Sequence, residues 1–306
     1  MMSRTWRPRR PVDVLPTLAV HQRGPYDPAF QVDGARIWRT CRPGGEPATV
    51  CLRVVAGSRA GATEVAATAW GPGAAAALEA VPDWLGEHDD PTGFDPEHPV
   101  LREAHRRHPG ALIGRTGLLM EALVPAILEQ KVTGTEAFRG WMRLLRRFGE
   151  PAPGPAPNRL RVVPTAAEWA RIPSWEWHRA GVGPQRSRTI VTAARHAARL
   201  EETTGMSTAD ADRRLRAIPG IGPWTSAEVR QRVFGDPDAV SVGDYGLPHA
   251  VTYALTGQRR GSDELMLELL EPYRGHRHRA CVLVLRSGPM PPRRGPRAPV
   301  RDYRAI

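Results

Sequence analysis

The chain has 306 residues and a formal net charge of +11, with 41% hydrophobic residues. That length buries more than one domain's core, and that charge points to a polyanionic partner, nucleic acid above all. Lys131 is the sole lysine among 43 basic residues, so the charge is carried by arginine, whose planar fork grips phosphate with two donors.

Residues 1–12 read as a basic, loose arm with Trp6 among arginines. Residues 13–95 read as a small α+β domain. β-Branched or alternating runs predict strands at 14–20, 35–41, 49–55 and 63–70, making an antiparallel sheet. A helix is expected over 74–80, with Trp84 and Leu85 packing past Pro82. Residues 87–99, acidic and Pro-rich, read as a linker.

Residues 96–288 change character and become helical. Helices are expected at 101–108, 118–131, 135–148, 165–171, 174–179 and 185–204. Others are expected at 208–218, 224–234, 247–255, 263–271 and 276–286. Pro125 predicts a kink or a new start inside the second of these. Residues 289–306 form a Pro/Arg-rich tail, and no internal repeat stands out. The expected fold is mainly α, a compact multi-helix array behind an N-terminal α+β domain. Trp141, Trp169, Trp175 and Trp177 are expected in helix packing, and His276 and His278 lack a third metal ligand.

Cys41, Cys51 and Cys281 are scattered and form no Cys-x-x-Cys pair. Neither a zinc site nor a cysteine-held iron–sulfur cluster is expected, and the odd count suits a reducing compartment. The basic start lacks an apolar core behind it, and no apolar run is long enough to span a membrane. A cytoplasmic protein with no membrane partner is the expectation.

The chemistry concentrates in residues 215–251. A helix ends, Pro219-Gly220-Ile221-Gly222 turns, and a helix restarts at Pro223-Trp224-Thr225. The glycines permit backbone conformations closed to other residues, and Pro223 suits a first helical turn. Outward N–H groups and the helix dipole there suit a phosphate, through main-chain contacts that carry no sequence information. Asp244 follows in Val242-Gly243-Asp244-Tyr245-Gly246, between an apolar run and the next helix. A carboxylate so placed reads as a helix cap, as a catalytic group, or as both.

These residues resemble the helix–hairpin–helix DNA glycosylase superfamily, and within it bacterial 3-methyladenine DNA glycosylase II. Ala126-Ile127-Leu128-Glu129-Gln130 is similar to that family's Ala-Ile-Leu-x-Gln helix, residues 181–190 to the segment ahead of its long helix, and the sheet before residue 95 to its N-terminal domain. The resemblance implies a monomeric, monofunctional DNA N-glycosylase of base excision repair, associated with the nucleoid. It would hydrolyse the N-glycosidic bond of a damaged, alkylated purine flipped from double-stranded DNA. The resemblance implies Asp244 as the catalytic carboxylate, Trp224 and Tyr245 in the base pocket, and backbone grip by Pro219, Gly220, Ile221, Gly222 and Thr225. It places a wedge side chain at Leu112 or Ile113. No cofactor is required; the carbonyls of Arg216, Ile218 and Gly220 are candidate ligands for K+ or Na+.

Two departures from the family pattern matter. Strand-cleaving relatives carry a lysine where this chain has Trp224-Thr225, so amine-based lyase chemistry is not expected. The positions matched to two further pocket aromatics are Glu228 and Leu285, which makes the pocket less electron-rich. The rival readings are a non-catalytic, damage-sensing DNA-binding protein and a glycosylase for oxidised or deaminated bases.

Overall fold

The computed structural model describes residues 1–56, 63–157 and 159–292. An antiparallel sheet of five strands carries the N-terminal region: β1 (Met2–Trp6), β2 (Phe30–Asp33), β3 (Arg36–Cys41), β4 (Ala48–Ala56) and β5 (Thr63–Trp70), in the order β1-β5-β4-β3-β2. The start of the chain is therefore not a loose arm. Met2 pairs with Ala69 and Trp6 with Val65, and the Trp6 ring is buried. A strand edge offers backbone hydrogen bonds to any residue type, so arginine content alone did not decide the matter.

Residues 14–19, expected as a strand, form helix α1 (Val14–Ala19), and Val14, Thr17 and Leu18 are its buried face. That spacing is helical. Strand β2 went unnoticed, although Asp33-Gly34, with Gly34 at φ 55°, is a hairpin signal. Helix α2 (Ala74–Trp84) runs through Pro82 and covers one sheet face, so Leu78, Val81 and Trp84 pack with Trp6, Phe30, Val50 and Leu52.

The segment expected as a linker has no helix or strand before Pro99, yet it is packed. Asp89 is buried and pairs with Arg279 at 2.5 Å, and the Phe94 ring sits among His105, Tyr273 and His276. Beyond it come α3 (Pro99–Arg107), α4 (Leu119–Leu128), α5 (Gly134–Phe148), the short strands β6 (Glu150–Pro151) and β7 (Arg161–Val162), α6 (Ala166–Arg171) and α7 (Ser174–Ala180). They are followed by α8 (Pro184–Arg195), α9 (Ala197–Glu201), α10 (Thr208–Arg216), α11 (Pro223–Val233), α12 (Leu247–Thr256), α13 (Asp263–Leu270) and α14 (Arg277–Ser287).

Two helical cores form. One surrounds α4, which stays a single helix despite Pro125 because packing from Leu119 to Leu128 holds it on nearly every side. In this core Trp141, Trp169 and Trp177 stack in series, with centroids 6.3 and 5.9 Å apart. Trp175 does not join them and is exposed. The other core joins α3, α12, α13 and α14. The long helix expected over 185–204 breaks at His196, whose φ/ψ of −105°/14° separates α8 from α9. Among the described residues no helix is long and apolar enough to cross a membrane.

Candidate active site

Helix α10 ends at Arg216, and the chain reverses through Gly220 at φ 91° before α11 starts at Pro223. Ile221 anchors the turn in the core. The first helical bond runs from the Ser226 N–H to the Gly222 carbonyl at 3.0 Å, so the N–H groups of Trp224 and Thr225 precede the helix's own ladder. Gln130, just past α4, donates to the Gly220 carbonyl at 2.9 Å and to Thr225 Oγ1 at 2.8 Å. The Thr225 side chain is thereby buried and engaged. Of the carbonyls considered for a cation, Gly220 thus already accepts from Gln130, and Ile218 accepts from the Ile221 N–H at 3.0 Å.

This turn has a counterpart. Gly181-Val182-Gly183-Pro184 repeats the order of Gly220-Ile221-Gly222-Pro223. Gly181 has φ 83°, Val182 is buried, and Pro184 opens α8 as Pro223 opens α11. The likeness is visible in the sequence. Both turns line one groove of about 650 Å³ together with Gln130, Lys131, Trp224 and Gly243.

A Cβ at Gly220 would lie 2.2 Å from Thr189 Oγ1, and φ there disfavours any side chain. Gly220→Ala is expected to destabilise the fold by about 1–3 kcal/mol. It should also weaken binding to duplex DNA of any sequence. Thermal melts and fluorescence-anisotropy titrations check both; unaltered DNA affinity would remove the turn from the binding surface.

Asp244 lies at the start of α12 and does two things. Its Oδ1 accepts from the Gly246 and Leu247 N–H groups, both at 2.8 Å, which caps the helix. Its Oδ2 accepts from the Trp224 indole N–H at 3.1 Å. Trp224 therefore lines the groove and steers the carboxylate, rather than lining the cavity on whose wall Asp244 sits. Tyr245 is 93% exposed and meets only the edge of His249, outside that cavity.

The cavity measures about 500 Å³, a size suited to a small ligand. Helix α1 gives it Pro16 and Thr17, with Val20 just past its end, α11 gives Glu228, Gln231 and Arg232, and α14 gives His278 and Leu285. Leu112 and Ile113, expected as a wedge, are 6% and 7% exposed and form part of its wall. Both are apolar and sit between the sheet layer and the helices, so packing claims them.

The polar end of the cavity is made by Glu228, which the sequence matched only to a pocket aromatic, and by residues given no binding role. Glu228 Oε2 accepts from Arg232 at 2.8 Å, and Glu228 Oε1 accepts from the Ser241 hydroxyl at 2.6 Å. Gln231 donates to Ser241 Oγ at 2.9 Å and to the Ala239 carbonyl at 2.8 Å. Burial, then the positive charges of Arg232 and Arg279, push the His278 pKa down to about 3, so its ring is neutral at physiological pH. The i, i+3, i+4 spacing of Glu228, Gln231 and Arg232 on α11 could have marked a shared polar face. Nothing local in the sequence points to His278.

No protein-family model matches the chain. By sequence it is 33% identical over 171 residues to the probable bifunctional transcriptional activator/DNA repair enzyme AlkA of Mycobacterium tuberculosis, a match covering 55% of this chain and 33% of that protein. The matched region thus spans about a third of that relative's length. It is 25% identical over 199 residues to the DNA-3-methyladenine glycosylase of Bacillus subtilis, covering 63% of this chain and 65% of the relative. By structure it superposes on the 3-methyladenine DNA-glycosylase from Archaeoglobus fulgidus with a TM-score of 0.73 and 18% identity, over 93% of this chain and 98% of the other. The chain has the helix–hairpin–helix DNA glycosylase fold.

In that fold the groove and the cavity meet at consecutive residues, Gly243 on the groove and Asp244 on the cavity. Among the described residues no group of three or more His, Cys, Asp or Glu side chains is placed to hold a metal ion.

Proposed function

We propose that the chain is a monofunctional DNA N-glycosylase of base excision repair that removes alkylated purines from double-stranded DNA. One observation carries this reading: the Trp224 N–H on the groove holds the Asp244 carboxylate on the wall of a cavity of about 500 Å³. The names of the sequence relatives agree with it. A backbone phosphate would lie on the N–H groups at the start of α11. The damaged nucleotide would turn into the cavity, at an unstacking cost of a few kcal/mol that a lesion lowers. Asp244 would then stabilise positive charge developing at C1′ while water attacks. An N3- or N7-alkylated purine leaves readily, so this route needs no strong general acid. A K+ or Na+ ion at the hairpin would use the carbonyl of Arg216 and the remaining lone pairs of Ile218 and Gly220. The protein would act as a monomer in the cytoplasm, on nucleoid DNA.

The capping bonds of Asp244 favour a second reading, in which the carboxylate only holds α12 and the protein binds DNA without cutting it. Released-base analysis on methylated, deaminated and oxidised duplexes separates the two. The expected product is alkylated purine, with no covalent DNA adduct trapped by borohydride. Failure to release any base would leave the binding-only reading standing. An adduct that disappears in Lys131→Ala would point instead to a glycosylase that also cleaves the strand, since Lys131 lines the groove.

A further inference from the structure

The relatives' names leave open how this cavity would tell a damaged base from a normal one. Among the described residues lining it there is no Phe, Tyr or Trp. The described lining thus offers a cation no such aromatic face. Its polar end offers something else. Glu228 has a side chain 13% exposed, braced by Arg232 on one oxygen and by Ser241 on the other. Ser241 receives from Gln231, so its own proton is committed to Glu228. A carboxylate has about four acceptor sites, and these two bonds leave capacity on both oxygens.

The balance of charge around the cavity is uneven. Glu228 and Asp244 bring two negative charges, Arg232 and Arg286 two positive ones. Arg286 is matched by Asp13 at 2.7 Å, and the neutral His278 adds nothing. One negative charge is left in excess. Two ions this little exposed are costly to keep out of water and, as an internal pair, weak evidence for stability. A ligand that uses the carboxylate gives the arrangement a function.

We infer that Glu228 is the specificity-determining residue of this cavity and selects purines carrying a positive charge, through a charge-assisted hydrogen bond to the base. This rests on the glycosylase reading for its substrate, but not for its chemistry. Glu228 would meet the base, while Asp244 would meet the sugar. The bracing by Arg232 and Ser241 fixes the direction of the carboxylate before the base arrives, which spares an ordering cost on binding.

The test compares wild type with Glu228→Gln, which keeps shape and removes charge. Single-turnover release is measured for 7-methylguanine, cationic in DNA, and for hypoxanthine, a neutral base. The expected result is a fall of about 10-fold or more in the ratio of the two rates. Equal losses on both substrates, or no change in either, overturn the inference. A second measurement does not depend on catalysis or on the variant's folding. Calorimetry compares binding of 7-methylguanosine and guanosine to wild type at mildly acid pH. Tighter binding of the cation is expected, and equal binding overturns the inference. A wild type that prefers the cation but releases no base would sink the glycosylase reading alone.

Discussion

Asp244→Asn is expected to lower the single-turnover rate of base release by about 100- to 1,000-fold, the loss typical of one electrostatic stabiliser. The change removes the negative charge that would face C1′ and one of the two acceptor oxygens. Asn keeps one side-chain oxygen for the Gly246 and Leu247 N–H groups, so α12 keeps its cap at a cost of about 1 kcal/mol at most. The Trp224 N–H can still be met if the amide orients one way, but not both partners at once. DNA affinity should hold or rise, because a negative charge beside phosphate has been removed. Rate, melting temperature and affinity measured on one preparation decide the matter. A variant that melts normally, binds DNA and releases base at the wild-type rate would confine Asp244 to its capping role.

Asp89→Ala should cost about 3–5 kcal/mol of stability, seen as a fall on the order of 10 °C in melting temperature. The reason is Arg279. Its side chain is 4% exposed, and its guanidinium is held by both oxygens of Asp89, at 2.8 and 2.5 Å. Without Asp89 a buried positive charge stands without its partner, and water cannot reach it to compensate. Removing both charges together, Asp89→Ala with Arg279→Leu, should recover most of the loss. If the double variant is no more stable than the single one, the ion pair is not what the segment contributes. The pair also fixes one end of α14, the residue next to His278, so the cavity wall should loosen along with the fold.

The helical elements were legible because their apolar spacing is set by one local period, and the hairpin because Gly and Pro leave an unmistakable local signature. What the sequence hid was set by partners far along the chain. Met2–Trp6 is a strand because Thr63–Trp70 offers it an edge. Residues 87–99 are fixed because Arg279 waits some 190 positions later. The helix cap made by Asp244 was readable from its setting, but its tether to Trp224 was not, since a side-chain N–H can aim anywhere its rotamers allow. Tyr245 was placed in the pocket by the family resemblance, yet here it is exposed to solvent. Glu228 was noticed only as a missing aromatic, and its partners Ser241 and Gln231 came from the fold alone.

The cavity has walls from both ends of the chain. Helix α1 and Leu112 line it together with α11, α12 and α14. A fragment cut at residue 96 would keep the hairpin, Asp244 and Glu228, and would look complete by motif. It would nonetheless be an open trough, with the Glu228–Arg232 pair facing bulk water where α1 had screened it. On the proposed function, grip on DNA and discrimination among bases should therefore be separable by dissection, the first travelling with the helical part and the second requiring the whole.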